Sequence, residues 1–502
     1  MLLRNTAINL VSLVATLVLA LATTAVLAMQ LGPAAFGVLA LVRAVVGNAG
    51  LLETLFGLGV TRYVAFHHAR GEIEQRNRYV ASGIAVNLIQ GLALSVVLLA
   101  VAGVLFDRVF VGVPPPLRRE GLVMLYVFSI VFILQICSTT LARAIEGLQA
   151  YSSLRASELM MQILLLAALV IFLQWRSPGM LHNLAWLYVG VEAIRLIVYA
   201  IVLARQGVVP ALRSAFDRPT FRSLFTYGRP LFVAKLFTTL GYRGDALILA
   251  AFLTVEAVAN YQVANQVWSA AIAGLAALTA ALLPAMAERQ AHSVQRLRNL
   301  FMRASRYTLC AALIGATVVV LARGVVIERW VGPGYRAAEL LIVLFMIQVV
   351  VAYHQGVSST LALSTMTHQP IGRLEAIGGV CNLVLSLLFV RRYGAAGVVF
   401  AGIIKTAIVT PFYVSMAIRT LDITWRTFWW QSIWPVWRLF LAIGITVLAA
   451  RFFTAAIGAE ATVGVALQLI AVGAVSTALI WTMILNPEDR SRVKHAVAFQ
   501  PS

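Results

Sequence analysis

Apolar runs about twenty residues long recur from one end of this chain to the other, and the loops between them are too short to form domains of their own. The hydrocarbon of a bilayer is about 30 Å thick, a distance an α-helix crosses in ~20 mostly apolar residues. That length marks about fourteen spans, at approximately 6–29, 36–64, 79–105, 120–145, 154–174, 183–204, 224–252, 257–284, 303–326, 337–363, 373–390, 395–418, 438–456 and 462–485. Inside a bilayer no water satisfies the backbone, so repeated spans of this length fold as helices. The expected fold is an all-α polytopic membrane protein. Only 12% of its residues are charged, against about 25% in soluble proteins. The first run is longer than the apolar region of a secretion signal and is followed by many more, so it reads as an uncleaved helix.

The net charge of +20 does not mark a nucleic-acid binder. The basic residues sit in short loops between spans and form no groove-reading module. They read instead as topology signals. With the N-terminus cytoplasmic, roughly 22 Arg and Lys fall on the cytoplasmic side and roughly 10 outside. Both termini are then cytoplasmic. The remainder are intramembrane: Arg43, Arg62, Arg195, Arg229, Lys235, Arg243 and Lys405. The cluster Trp425, Trp429, Trp430, Trp434 and Trp437 reads as an interfacial belt carried on a short amphipathic helix.

A charge near the bilayer centre costs at least ~3 kcal/mol, so such residues face water or a partner. The segment 227–269 concentrates them, with Arg229, Lys235, Arg243 and Asp245 in one run. Gly241 and Gly244 flank Tyr242 and Arg243, and an interrupted helix at this depth lines a cavity. At 100° per residue Arg229 and Arg243 lie about 40° apart and Lys235 about 80° from Arg243, so one broad face presents cations. The following span opens with Asn260, Tyr261, Gln262, Asn265 and Gln266. Asp245 either balances Arg243 or holds a coupling ion. Glu53 pairs with Arg43 or with span seven, or contacts a ligand. Glu192 and Arg195, at i and i+3, neutralise one another.

In span one, Asn5, Asn9, Ser12, Thr16 and Thr23 fall within about 60° of one another. The stripe either hydrogen-bonds to a neighbouring helix or lines a cavity. Gln348 and Gln355 repeat this pattern in span ten, beside Tyr353 and His354, and Lys405 sits mid-span in the twelfth. The candidate site is therefore cationic Arg43, Lys235, Arg243 and Lys405. Polar lining comes from Asn5, Asn9, Ser12, Thr16, Tyr261, Asn265, Gln348 and Gln355, and Glu53 and Asp245 are candidates for ion coupling. Several Arg forks suit a pyrophosphate, and the amides and hydroxyls suit sugars. No phosphate loop, HExxH, CxxC or GxSxG occurs, so no catalytic centre, metal or cofactor is expected. Cys137, Cys310 and Cys381 lie in apolar runs without metal spacing.

Five stretches carry a family resemblance: QLGPAAFG at 30–37 with Glu53 and GLGVTR at 57–62; 245–264 with Asp245, Tyr261 and Ala264; Leu283-Pro284 before a basic loop; WVGPGY at 330–335; and Asn382 with YGAAG at 393–397. In order and spacing the chain resembles the bacterial polysaccharide exporter and O-antigen (lipid-linked oligosaccharide) flippase family, within the multidrug, oligosaccharidyl-lipid and polysaccharide exporter superfamily. The resemblance implies two pseudo-symmetric six-helix bundles around a central cavity plus two C-terminal helices. The expected divisions are 1–205, a cytoplasmic linker 206–222, 223–420, an interfacial segment 421–437, two helices over 438–485 and a tail 486–502.

It implies alternating access in the bacterial inner membrane that moves an undecaprenyl-pyrophosphate-linked oligosaccharide outward, for O-antigen, lipopolysaccharide or exopolysaccharide assembly. Expected partners are that substrate, membrane lipids, and a polysaccharide polymerase and glycosyltransferases, around a monomer. The alternatives are a peptidoglycan-precursor flippase or a cation-coupled multidrug exporter of the same superfamily. A membrane glycan polymerase or transferase would need a large external loop, and the sequence has none.

Overall fold

The computed structural model describes residues 2–174, 179–210, 217–280, 293–364, 369–457, 460–485 and 489–491, together with 282, 286 and 288. Among the described residues every regular element is helical. The first half contains α1 (Leu2–Ala49), a 3-10 turn (Gly50–Glu53), α2 (Thr54–Ala69), α3 (Ile73–Val104), α4 (Pro115–Gly147), α5 (Tyr151–Gln174), α6 (Met180–Arg205), α7 (Arg218–Arg243), α8 (Asp245–Phe252) and α9 (Val255–Ala280). The second contains α10 (Val294–Trp330), α11 (Ala338–Tyr353), α12 (Gly356–Ser364), α13 (Gln369–Thr420), α14 (Trp425–Phe428), α15 (Trp434–Ala456) and α16 (Ala461–Leu479). Nine helical stretches among these residues are long and apolar enough to cross a membrane, or ten if the bent pair α11 and α12 counts as one. The chain is a multi-pass membrane protein.

Two of those stretches hold two spans each. α1 has 48 residues and α13 has 52, and rods of that length would run to about 70 and 80 Å, well over twice the hydrocarbon thickness. Each turns at a glycine in a left-handed conformation: Gly32 at φ 72° and Gly394 at φ 59°. An L side chain at such angles is strained, and Pro33 directly after Gly32 removes a helical N–H as well. These are the links the sequence reading places around 31–35 and between 390 and 395. The expected break in the cationic segment is also present. α7 ends at Arg243, the chain bends at Gly244, and α8 begins at Asp245. In the Trp segment, α14 is one turn that passes through a π turn at Trp429–Ile433 directly into α15.

The contacts form two compact units. One comprises residues 1–266, 331–337 and 375–401; the other comprises 267–330, 338–374 and 402–502. In the first, α3 shows how a membrane helix packs. Gly83, Asn87, Gly91 and Ser95 repeat every four residues and are buried, whereas Leu88, Leu92 and Leu99 are exposed. The apolar face is left for lipid, and the small polar stripe lets α4 approach. A Cβ at Gly91 would lie 3.0 Å from Ile136. Asn87 donates to Thr140 at 2.7 Å, and Ser95 to the Ser129 carbonyl at 3.0 Å.

α7 starts from Asp217, whose carboxylate accepts the backbone N–H and hydroxyl of Thr220. Those two bonds hold the acid below its ordinary pKa. Phe221 and Phe225 then pack on Phe56. Gly228 meets the Leu55 carbonyl so closely that a Cβ would be 1.7 Å from it. Arg62, one of the basic residues of span two, is exposed and lies 4.5 Å over the Tyr227 ring.

In the second unit, Arg298 at the start of α10 donates to the Leu421 carbonyl at 3.0 and 2.7 Å. Ser432 reaches the Met302 carbonyl at 3.0 Å. Span ten does not run straight: α11 and α12 meet at 43°.

Candidate functional site

The turn at Gly32 folds α1 so that both of its halves belong to the first unit, where they wall a cavity of about 490 Å³. Two contacts hold the second half in place. Gly37 lies against the Val255 carbonyl at the start of α9, where a Cβ would come within 2.0 Å. Tyr335 donates its hydroxyl to the Ala28 carbonyl at 3.0 Å and stacks edge-on against Phe36. The α1 wall then offers Thr23, Thr24, Arg43 and Asn48, and α5 contributes Gln162. The α9 wall offers Tyr261, Gln262, Asn265 and Gln266, an i, i+4 pattern that aligns two rows on one face. Among the described residues Arg43 is the only charged group in the lining, and no acid is present. Its guanidinium stands 5.7 Å over the Tyr188 ring.

A second cavity of about 160 Å³ shares Gly47 with the first and is lined by Lys235, Glu53, Gln135, Thr139 and Thr239. Glu53 is 6% exposed. Its direct ion-pair partner is a residue outside the candidates offered by the sequence: Arg143 of α4 places Nε 3.3 Å from Oε1. Arg143 also holds Glu146 at 3.0 Å, and Lys235 is near enough to act on Glu53 electrostatically. Nothing in the sequence signalled Arg143, which ends an apolar run 90 residues away. The Glu192–Arg195 pair forms as expected, at 2.8 Å.

Asp245, at the first position of α8, accepts the Tyr261 hydroxyl at 2.8 Å and the Asn382 amide at 3.5 Å. Ser386, one turn beyond Asn382, is fully buried beside it. The Tyr261 and Asn382 donors are both neutral. Tyr261 thus faces the large cavity and holds the acid behind it.

The remaining candidates are distributed. Ser12 and Thr16 are half-buried on α1 and do not line either cavity, although Thr23 of the same stripe does. Gln348, in the second unit, donates to Thr406 at 3.4 Å, and Lys405 beside Thr406 is 3% exposed. Gln355 sits where α11 gives way to α12. The side chains of Asn5, Asn9 and Arg243 lie outside the described residues. Arg43 and Lys235 therefore line neighbouring cavities in one unit, and Lys405 belongs to the other. Gln162 and Asn48 were not among the candidates. A lone Gln in the run MMQILLLAAL was the available signal.

Residues 2–290 match the model of a family described as polysaccharide biosynthesis protein. Among solved structures, one of a lipid II flippase, MurJ, in an inward closed conformation is similar with a TM-score of 0.71 at 12% identity, covering 95% of this chain and 100% of that one. An inward-facing multidrug resistance MATE family transporter of the MOP superfamily gives 0.70 at 12% identity, over 81% of this chain and 94% of that one. A MOP superfamily transporter from Pyrococcus furiosus, described as having reverse polarity of its binding pocket, gives 0.58 at 12% identity, over 82% and 95%. These likenesses establish the fold as that of MOP superfamily transporters. No curated protein sequence matches the chain.

Proposed function

This chain belongs to the polysaccharide biosynthesis protein family, and we propose that it is a flippase, not an enzyme. In this reading it carries an undecaprenyl-pyrophosphate-linked oligosaccharide outward across the bacterial cytoplasmic membrane by alternating access, for assembly of surface polysaccharide such as O-antigen or exopolysaccharide. The observation that carries the reading is Arg43 in a cavity whose described lining has no acid. A cation held at membrane depth needs an anion or water, and a guanidinium fork matches phosphate oxygens with two charge-assisted bonds. A pocket for cationic drugs would require the opposite charge, so the multidrug alternative has no support in this lining. Lys235, in the adjoining cavity, supplies a second cation, and Arg243 and Lys405 are proposed to add to them as the protein changes state. The span division into six, six and two, the cytoplasmic termini and the monomeric state belong to the same proposal.

Two sources of drive are available. The membrane potential, negative inside, favours outward movement of an anionic headgroup by about 2.3 kcal/mol per charge per 100 mV. Asp245, which among the described residues is hydrogen-bonded to neutral donors, is the better candidate for an exchanged ion, because Glu53 is already tied to Arg143. The peptidoglycan-precursor flippase remains the second reading, supported by fold similarity over the full length of the lipid II flippase structure.

The test is deletion of the gene in its own host, followed by restoration with wild type or Arg43→Gln. Lipid-linked oligosaccharide should accumulate on the inner leaflet in the deletion and with Arg43→Gln, and return to normal with wild type. Normal surface glycan in the deletion strain would refute the reading, and rescue of a strain depleted of its lipid II flippase would favour the second one.

A further inference from the structure

The large cavity holds more hydrogen-bonding capacity than a pyrophosphate can use. Gln162, Gln262, Asn265 and Gln266 line it, and none of the four makes a side-chain hydrogen bond to another described residue. The Gln162 carbonyl oxygen is buried and lacks a donor among the described residues. An amide left in this state at membrane depth is costly unless something else meets it. A phosphate has only acceptor oxygens at neutral pH, so it cannot donate to that carbonyl. A sugar ring can, because each of its hydroxyls both donates and accepts. The cavity, at about 490 Å³, is within the ~300–1,000 Å³ of small-molecule pockets. Phe36, Leu39 and Tyr261 supply part of its apolar lining.

We infer that the wall formed by Gln162 of α5 and Gln262, Asn265 and Gln266 of α9 is a subsite for a neutral sugar. The sugar is the one joined directly to the pyrophosphate. This rests on the flippase reading above and assigns the two cavities different parts of one substrate. The phosphates lie toward Gly47, the residue common to both cavities, between the Arg43 and Lys235 walls. The first sugar occupies the amide-lined space. The absence of acids from the described lining, and the presence of a single cation, set the preference for an uncharged ring over an amino sugar with a free ammonium.

The full-length protein in lipid nanodiscs is titrated with undecaprenyl pyrophosphate and with the same lipid carrying one glucose, one galactose, one N-acetylglucosamine or one glucuronic acid. At least one neutral sugar should tighten binding by roughly fivefold or more, the worth of about one satisfied hydrogen bond. Gln262→Leu with Gln266→Leu should remove that gain, and Gln162→Leu should reduce it, with the sugar-free lipid binding all variants as it binds wild type. That last comparison also shows that the variants are folded. The inference is overturned if no neutral sugar adds affinity, if the gain survives both substitutions, or if only glucuronic acid tightens binding, which would assign the wall to a carboxylate at Arg43. If wild type binds the sugar-free lipid no better than undecaprenol, the flippase reading itself fails and takes the subsite with it.

Discussion

Arg143 places its Nε 3.3 Å from Oε1 of Glu53 and so ties α4 to the turn between α1 and α2. Glu53 is 6% exposed, and a carboxylate at that depth without a counter-charge is costly. Removing one partner of a buried pair costs about 3–5 kcal/mol. Arg143 is partly exposed, so Arg143→Gln is expected at the low end of that range, read as a clear drop in thermal midpoint in detergent. Adding Glu53→Gln should restore most of the loss, because the only carboxylate then left without Arg143 is Glu146, which is far less buried than Glu53. A double variant as unstable as the single would show that Arg143 acts through something other than Glu53.

The second carboxylate is held differently, and its variants should behave differently. Asp245 accepts from Tyr261 and Asn382. Asp245→Asn keeps much of that geometry and should leave the thermal midpoint within a few degrees of wild type. Its substrate uptake into proteoliposomes should no longer respond to sodium or to a pH gradient. Tyr261→Phe removes one hydrogen bond, worth about 1 kcal/mol, and should weaken the response without abolishing it. An unaltered ion response in Asp245→Asn would remove this residue from the coupling step.

Glycine substitutions separate packing from transport. At Gly228 a Cβ would sit 1.7 Å from the Leu55 carbonyl, and backbone cannot yield as a side chain does. Gly228→Ala should therefore pry α7 from α2, with low yield of folded protein on size-exclusion chromatography. At Gly47 a Cβ would have no atom within 4 Å. Gly47→Ala should fold as wild type yet slow transport, since Gly47 lines both cavities. Equal yields for the two variants would contradict the close approach at Leu55.

Much of this arrangement was readable along the chain. Gly32-Pro33 and Gly394 mark the turns inside two long apolar stretches because backbone chirality forbids most residues those angles. Gly244 marks the break before Asp245 for a related reason, the weakness of a helix at glycine. The polar face of Tyr261 and Asn265 followed from helical periodicity. Partnership did not follow. Glu53 and Arg143 are 90 residues apart, and hydropathy carries no information on which helix meets which. The 43° bend between Tyr353 and Gly356 has a glycine at its edge, as the break at Gly244 does, but no charge cluster beside it drew attention to that glycine. Gln162 gained meaning only when the structure set it across from α9.

The cations carry the last prediction. Arg43 and Lys235 are both exposed to their cavities, so their removal creates neither a void nor a buried unpaired acid of the kind left by losing Arg143. Arg43→Gln and Lys235→Gln should keep the wild-type thermal midpoint while reducing lipid-linked oligosaccharide transport by at least roughly tenfold, the effect of one lost charge-assisted contact to phosphate. Arg43→Lys tests the kind of contact. It keeps the charge but not the planar fork or the stacking over Tyr188, so its transport should fall between Arg43→Gln and wild type. Tyr188→Leu leaves Arg43 in place and removes the ring beneath it, and should resemble Arg43→Lys in a flux assay. If Arg43→Lys is indistinguishable from wild type, the site needs only positive charge. If Arg43→Gln is also indistinguishable, phosphate binding cannot be located at α1.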